Sequence, residues 1–217
     1  MAIAFLDFDG TLLVRDSGRI CALPGIRAGL VPPRRAAQLV STYLLLQAGL
    51  RTRTDVQLVG FSCYAGRTLD ELRGLMHELH ERHMRRFVSR AMRVRVAEHQ
   101  RQGDRLVIVT ASAFFFAEPL ARELGVDEVV GTRVCFEGGR CTGRVDGDIV
   151  EGPAKLAAAR RVADALGVGL EGCSFYSDHI ADLPLLEAVG RPVAVAPHRP
   201  LARVARARGW AIVDHDP

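Results

Sequence analysis

The chain has 217 residues, 48% hydrophobic and 25% charged, the make-up of an ordinary globular protein with one full core and room for a small insertion. Its formal charge of +4 is scattered, with no basic block, which argues against nucleic-acid binding and suits small anionic metabolites. Five cysteines with no Cys-x-x-Cys pair, and an N-terminal apolar run too short for a signal peptide, point to reduced thiols and a cytoplasmic location; the most apolar later stretch, Leu39 to Leu50, is too short for a bilayer span.

The first element is an apolar run, Ile3 to Leu6, long enough for a buried strand and stopped by Asp7, Phe8, Asp9, Gly10 and Thr11. In an open α/β sheet, ligands gather beyond the carboxyl ends of the strands, where this places both carboxylates. Neighbouring carboxylates raise one another's pKa unless a positive charge intervenes, and a hard cation such as Mg²⁺ supplies it. A strand ending in a polar Asp-Gly turn is the plainer alternative.

From residue 15 to residue 91 the pattern is helical, with almost no convincing strand. Pro32-Pro33 opens a helix over Arg34 to Leu50, Thr54 to Tyr64 is a second, and Thr68 with Glu71 forms a capping box for a third reaching Arg86. The α/β alternation then resumes. A helix from Phe87 to Gln102 leads to a buried strand, Arg105 to Val109, that ends at Thr110, Ala111 and Ser112; a helix from Phe114 to Leu124 follows. Residues 126–150 are rich in strands and turns, with a hairpin loop at Glu137 to Arg140. Pro153 starts a helix to Leu166, Cys173 to Tyr176 is a strand, and Ser177-Asp178 is the polar turn after it. Pro184 to Ala188 is a short helix, Pro192 to Val195 a strand, and the chain closes with a helix over Leu201 to Arg208 and a strand over Trp210 to Val213. Strands joined by helices imply a parallel sheet with right-handed crossovers. Among the basic residues, 28 arginines stand against a single lysine, Lys155, so a site that needs a compact point charge on a thin stem, where the wide guanidinium fork does not serve, would explain the exception.

Asp7-Phe8-Asp9-Gly10-Thr11-Leu12 resembles the first motif of the haloacid dehalogenase superfamily, most of whose members are Mg²⁺-dependent phosphatases. Three later elements resemble the remaining motifs in the same order: Val107 to Thr110, Lys155 after Gly152-Pro153, and Tyr176-Ser177-Asp178-His179-Ile180-Ala181-Asp182. The resemblance implies a Rossmann-like parallel sheet core over 1–14 and 92–217, with a helical cap over 15–91 inserted between the first and second motifs. It also implies site roles. Asp7 is the nucleophile, and Asp9 protonates the leaving alcohol and then takes a proton from water. Thr110 hydrogen-bonds the phosphoryl oxygens, and Lys155 balances their charge. Asp7, the Asp9 backbone carbonyl and Asp178 hold Mg²⁺, and Asp182 supports the lysine and the metal shell. Gly10, Thr11, Ala111 and Ser112 flank the phosphate.

The insertion's place and Asp182-Leu183-Pro184-Leu185-Leu186 are similar to the phosphoserine phosphatase-like branch, which implies hydrolysis of a small phosphomonoester through an aspartyl-phosphate, with a phosphoserine-like substrate favoured. Two departures stand out. Ser177 and Ala181 replace the branch's usual glycine and asparagine, and Asp16 stands, one methylene shorter, where a glutamate reads the substrate's amino group. Leu39 to Leu50 and Phe114-Phe115-Phe116 keep an apolar or secondary-metabolite phosphate open as substrate. Passing the phosphoryl group to an alcohol is a second alternative, and a weakened, phospho-ligand-binding member a third. His77, His80 and His83, spaced three and three, rotate about 120° over six residues and read as a solvated cap face, where a metal pair would need a spacing of four. Arg199, Arg203 and Arg206 read as solvated, and the triple Phe as core or cap-facing wall.

Overall fold

The computed structural model describes residues 2–29 and 31–216, the Arg53 side chain excepted. The strands are β1 (Ile3–Leu6), β2 (Arg105–Ala113), β3 (Glu128–Thr132), β4 (Val134–Glu137), β5 (Arg140–Val145), β6 (Ser174–Ser177), β7 (Arg191–Val195) and β8 (Ala211–Val213). The helices are α1 (Ser17–Arg27), α2 (Pro33–Gln47), α3 (Arg53–Ser62), α4 (Leu69–Leu79), α5 (Arg90–Gln102), α6 (Phe114–Leu124), α7 (Pro153–Ala165), α8 (Leu183–Ala188) and α9 (Arg199–Arg208).

Six strands form a parallel sheet in the order β3-β2-β1-β6-β7-β8. β1 is apolar throughout because both of its faces are covered. Side chains alternate across a strand, so Ala4 and Leu6 join Leu106, Ile108 and Tyr176 in one core layer, with Met92 and Val96 of α5 and Phe115 and Leu120 of α6. Ile3 and Phe5 join Val107, Val109 and Phe175 in the other, against α7, α8 and α9. The chain leaves β1 toward β2 and β3, then returns to the opposite side of β1 through β6. That reversal opens a crevice beyond the carboxyl ends of β1 and β6, the usual place for a ligand in such sheets.

Helices α1 to α4 intervene between β1 and β2. The capping box at Thr68 is formed, with Glu71 N–H on Thr68 Oγ1 at 3.2 Å and Thr68 N–H on Glu71 Oε2 at 2.8 Å. A second, at Thr52 and Asp55, opens α3. α1 is a helix not singled out from the sequence; Pro24 inside it masked the pattern, and Asp16 caps it through Arg19 N–H at 3.0 Å. The helix expected to run to Arg86 instead ends at Leu79 and continues as a π-helical turn, His80–Met84, and a 3₁₀ turn, Arg85–Phe87. Here one expectation fails: His80 is 1% exposed, its Nε2 2.6 Å from Glu123 Oε2, so the histidine trio is not one solvated face. The wider π turn rotates His80 inward, onto α6. Arg199, Arg203 and Arg206 are exposed, and Phe115 and Phe116 are core. β2 runs four residues beyond the expected Val109, with a register shift between Thr110 and Ala113. The β4–β5 hairpin turns on Gly138 and Gly139, both at positive φ, as a two-residue loop demands. It is tied to the inserted helices through Gly66 N–H on Cys141 O (2.7 Å) and Cys141 N–H on Arg67 O (2.8 Å). Among the described residues no helix is long and apolar enough to cross a membrane.

Candidate active site

The crevice is built from the turn after β1. Asp7 N–H extends the ladder to β6 by donating to Tyr176 O (3.0 Å), and Leu12 and Leu13 N–H return to the carbonyls of Asp7 (3.3 Å) and Phe8 (2.9 Å). The chain curls there on Gly10, at φ 74°, and a Cβ at that position would lie 2.3 Å from Asp178 Oδ2. Only glycine lets the fourth-motif carboxylate approach this closely without strain. Thr11 is fully buried, and its hydroxyl has no hydrogen-bond partner within the protein.

Lys155, in the first turn of α7, lies buried between two acids: Nζ is 2.8 Å from Asp7 Oδ1 and 2.7 Å from Asp182 Oδ2. Ser177 donates to the same Asp182 oxygen at 2.6 Å. Burial by itself would lower the lysine's pKa, but Asp182 and Asp7 hold it above the usual lysine range, so it is an ammonium. Asp7 is raised well above the carboxylate range, by burial first and then by the charges of Asp182 and Asp178, against the pull of Lys155. Asp178 is pushed up to about 6, by burial foremost, with the His198 imidazole pulling the other way. Three acids therefore share one ammonium.

Asp9 has different surroundings. Its carboxylate accepts from Ser112 Oγ at 2.7 Å and from Ser17 N–H at 2.5 Å, and it is pushed up to about 6 by burial and by Asp16, partly offset by those hydrogen bonds. Asp7 thus faces the lysine while Asp9, two residues on, faces β2 and the start of α1. A carboxyl group titrating near neutrality can both give and take a proton under ordinary conditions.

The other sequence candidates fall around this pair. Thr110 is buried in the second half of β2, where the register shift begins, with its Oγ1 accepting from Ser112 N–H (3.1 Å), Ala111 O receives Thr132 Oγ1 (2.7 Å), and Ser112 reaches Asp9. Asp16 is an exposed helix cap beside the crevice, close enough to raise Asp9. Three residues were not anticipated from the sequence: Ser17, through its backbone N–H; Ser177, through its hydroxyl on Asp182; and His198. Its Nε2 is 3.3 Å from Asp178 Oδ2, its N–H donates to Asp178 O at 3.0 Å, and its ring lies 5.6 Å from that of His179. Ser177 was visible as a departure from the motif. His198 carries no local signal beyond lying just past a strand end.

The donor set fits a hard divalent cation. Two buried carboxylates, Asp7 and Asp178, carry pKa values raised first by burial and then by neighbouring acids, and Gly10 leaves the space for Asp178 to close on the turn. Among the described residues no three His, Cys, Asp or Glu side chains form a cluster that could hold a metal ion.

A family model described as haloacid dehalogenase-like hydrolase matches residues 4–187. The chain is 30% identical to a phosphoserine phosphatase of Mycobacterium tuberculosis over 98% of its own length and 70% of that protein's. It is 27% identical to a histidinol-phosphatase of Neisseria meningitidis over 98% of both chains. A solved structure of a Bordetella pertussis protein of unknown function superposes with a TM-score of 0.87 at 30% identity, covering 99% of this chain and 98% of that one.

Proposed function

The chain belongs to the haloacid dehalogenase-like hydrolase family, and from that premise we propose that it is a Mg²⁺-dependent phosphatase for small phosphomonoesters. The observation that carries the proposal is the division of labour between Asp7 and Asp9: one carboxylate on an ammonium, the other on two hydrogen-bond donors and titrating near 6.

Asp7 attacks phosphorus in line, an aspartyl-phosphate forms, and the bond from phosphorus to the ester oxygen breaks. Asp9 delivers its proton to that departing oxygen, so the alcohol leaves neutral. Asp9, now a carboxylate, takes a proton from water; the oxygen attacks phosphorus, and phosphate departs as Asp7 is restored. Lys155 holds charge against Asp7 and the phosphoryl oxygens, while Ser177 and Asp182 keep its ammonium in place. Thr110 and the Ala111–Ser112 backbone border the phosphate. The Asp7 and Asp178 carboxylates and the Asp9 carbonyl oxygen would hold Mg²⁺, which when bound neutralises charge on the phosphoryl group.

Helices α1 to α4, within residues 15–91, act as the cap over the core formed by 1–14 and 92–217. The favoured substrate is a phosphorylated amino alcohol. The names of two relatives, phosphoserine phosphatase and histidinol-phosphatase, share that chemistry, and Asp16 at the rim is an anion placed to meet an ammonium. A more apolar alcohol is the second reading. It is supported by Tyr64, whose ring meets Phe115 edge-on at 5.1 Å beside Phe61 and Phe116 and whose hydroxyl is pushed up by burial and by charges that include Asp9.

The test is phosphate release from a panel of amino-alcohol, apolar and aryl phosphates, with and without Mg²⁺. Metal-dependent turnover that Asp7→Asn abolishes is expected, fastest on the amino-alcohol esters. A folded, metal-loaded protein that turns over none of them refutes the hydrolase assignment.

A further inference from the structure

Helix α2 is amphipathic the wrong way round for a helix that merely covers a core. The stripe at Arg35, Leu39, Thr42 and Leu46 faces inward, and the one buried residue on it is a threonine, 8% exposed. The stripe at Ala37, Val40, Leu44 and Ala48 faces solvent, with Val40 61% and Leu44 62% exposed. A helix in a soluble protein turns its apolar stripe toward the core. On α1, Leu23 (55%) and Ile26 share an exposed stripe with Arg19 and Arg27. Arg19 joins the two helices, donating to Tyr43 Oη at 2.7 Å with its guanidinium over the ring. Eight of the ten large apolar side chains exposed among the described residues lie between residues 23 and 58. That concentration is unlike the scatter of single exposed hydrophobics normal on a protein surface.

The same segment is strongly basic. Residues 15–55 hold seven arginines and two acids, Asp16, already engaged as the cap of α1, and Asp55, 3.7 Å from Arg51. We propose that this face of the inserted helices, α2 with the exposed stripe of α1, docks on an anionic lipid surface. Val40, Leu44 and Leu23 would enter the headgroup–acyl boundary, and the exposed Arg19, Arg27 and Arg34 would lie at phosphate level with their aliphatic stems along the apolar patch. A second copy of the chain fits the charge poorly. A two-fold contact through this face sets arginine rims against each other with few acids to pair them, Asp16 being a helix cap and Asp55 already beside Arg51. The shape favours a bilayer too, because α2 packs chiefly on α3 and presents a ridge about 22 Å long, at 1.5 Å per residue.

The experiment is co-sedimentation of the full chain with vesicles of phosphatidylglycerol and phosphatidylcholine, against vesicles of phosphatidylcholine alone. The expected result is binding to the anionic vesicles only, weakening as salt rises from about 0.1 to about 0.5 M, where the Debye length shrinks to a few ångströms. Leu44→Glu and Val40→Glu are each expected to lower partitioning at least about tenfold through lost apolar burial, and Arg27→Gln with Arg34→Gln to lower it through lost charge. None of the four residues touches the crevice, so turnover of a soluble aryl phosphate should be unchanged. Absence of binding to anionic vesicles, equal binding to both vesicle types, or full binding by Leu44→Glu overturns the proposal. So does a sedimentation-velocity dimer that Leu44→Glu dissociates, which would assign the face to self-association.

Discussion

Replacing Lys155 by methionine keeps the length and apolar stem of the side chain and removes only the ammonium. The structure makes the consequence large. Asp7, Lys155 and Asp182 are 7%, 2% and 2% exposed, and both oxygens on the lysine lie within 2.8 Å. Removing one partner of a buried ion pair strands the other, which costs about 3–5 kcal/mol. For a chain of this size each kcal/mol moves the melting temperature by about 2–4 °C, so a drop of about 6–20 °C is expected. Urea unfolding followed by circular dichroism with EDTA present, so that no cation substitutes for the lysine, measures the loss. Lys155→Met with Asp182→Leu should recover part of it, since one stranded carboxylate is gone. Lys155→Arg should not restore it, because the planar fork does not fit a slot where one nitrogen meets two acids. A Lys155→Met protein within about 1 kcal/mol of the parent, or a fully stable Lys155→Arg protein, would refute the electrostatic account.

Asp9→Asn should lower kcat by about 10²–10⁴-fold, the usual worth of a positioned acid–base group, with little loss of melting temperature, because its amide oxygen still accepts from Ser112 or Ser17. Gly10→Ala combines φ 74° with a Cβ 2.3 Å from Asp178 Oδ2, so it should destabilise by more than the ~1–2 kcal/mol of a left-handed alanine and weaken metal binding in calorimetry; unchanged binding would mean Asp178 has room to move. Although burial works to raise it, Glu123 is held below the usual glutamate range by Arg93 and His80. A depressed folded pKa contributes stability above the unfolded value and loses it as pH falls through the folded one. Glu123→Gln should therefore flatten the acid limb of a stability–pH curve below about pH 4.5, and an unaltered limb would show that the contacts are not coupled to folding.

Much of the fold is local in origin and was legible without coordinates. β1 is an apolar run stopped by carboxylates, α6 keeps both expected ends, the Thr68 capping box lies within four residues, and Gly138-Gly139 makes its turn alone. Each depends on dihedral preference, side-chain period or a hydrogen bond across a few residues, all written in adjacent positions. Lys155 was conspicuous for a different reason: it is the one lysine in a chain of arginines.

What the sequence by itself determined is therefore the inventory: which strands end in carboxylates, which helix begins with the lysine, and their order. Only the tertiary structure decided who faces whom. Lys155 reaches Asp7 across 148 residues and Ser112 reaches Asp9 across 103, so two aspartates two positions apart acquire opposite surroundings. The same holds for His198 beside Asp178, His80 buried on Glu123, and α2 with its apolar stripe turned outward. The physical reason is strand order. Placing β6 and β2 on either side of β1 brings their ends to one crevice, and no local propensity encodes which loop meets which there.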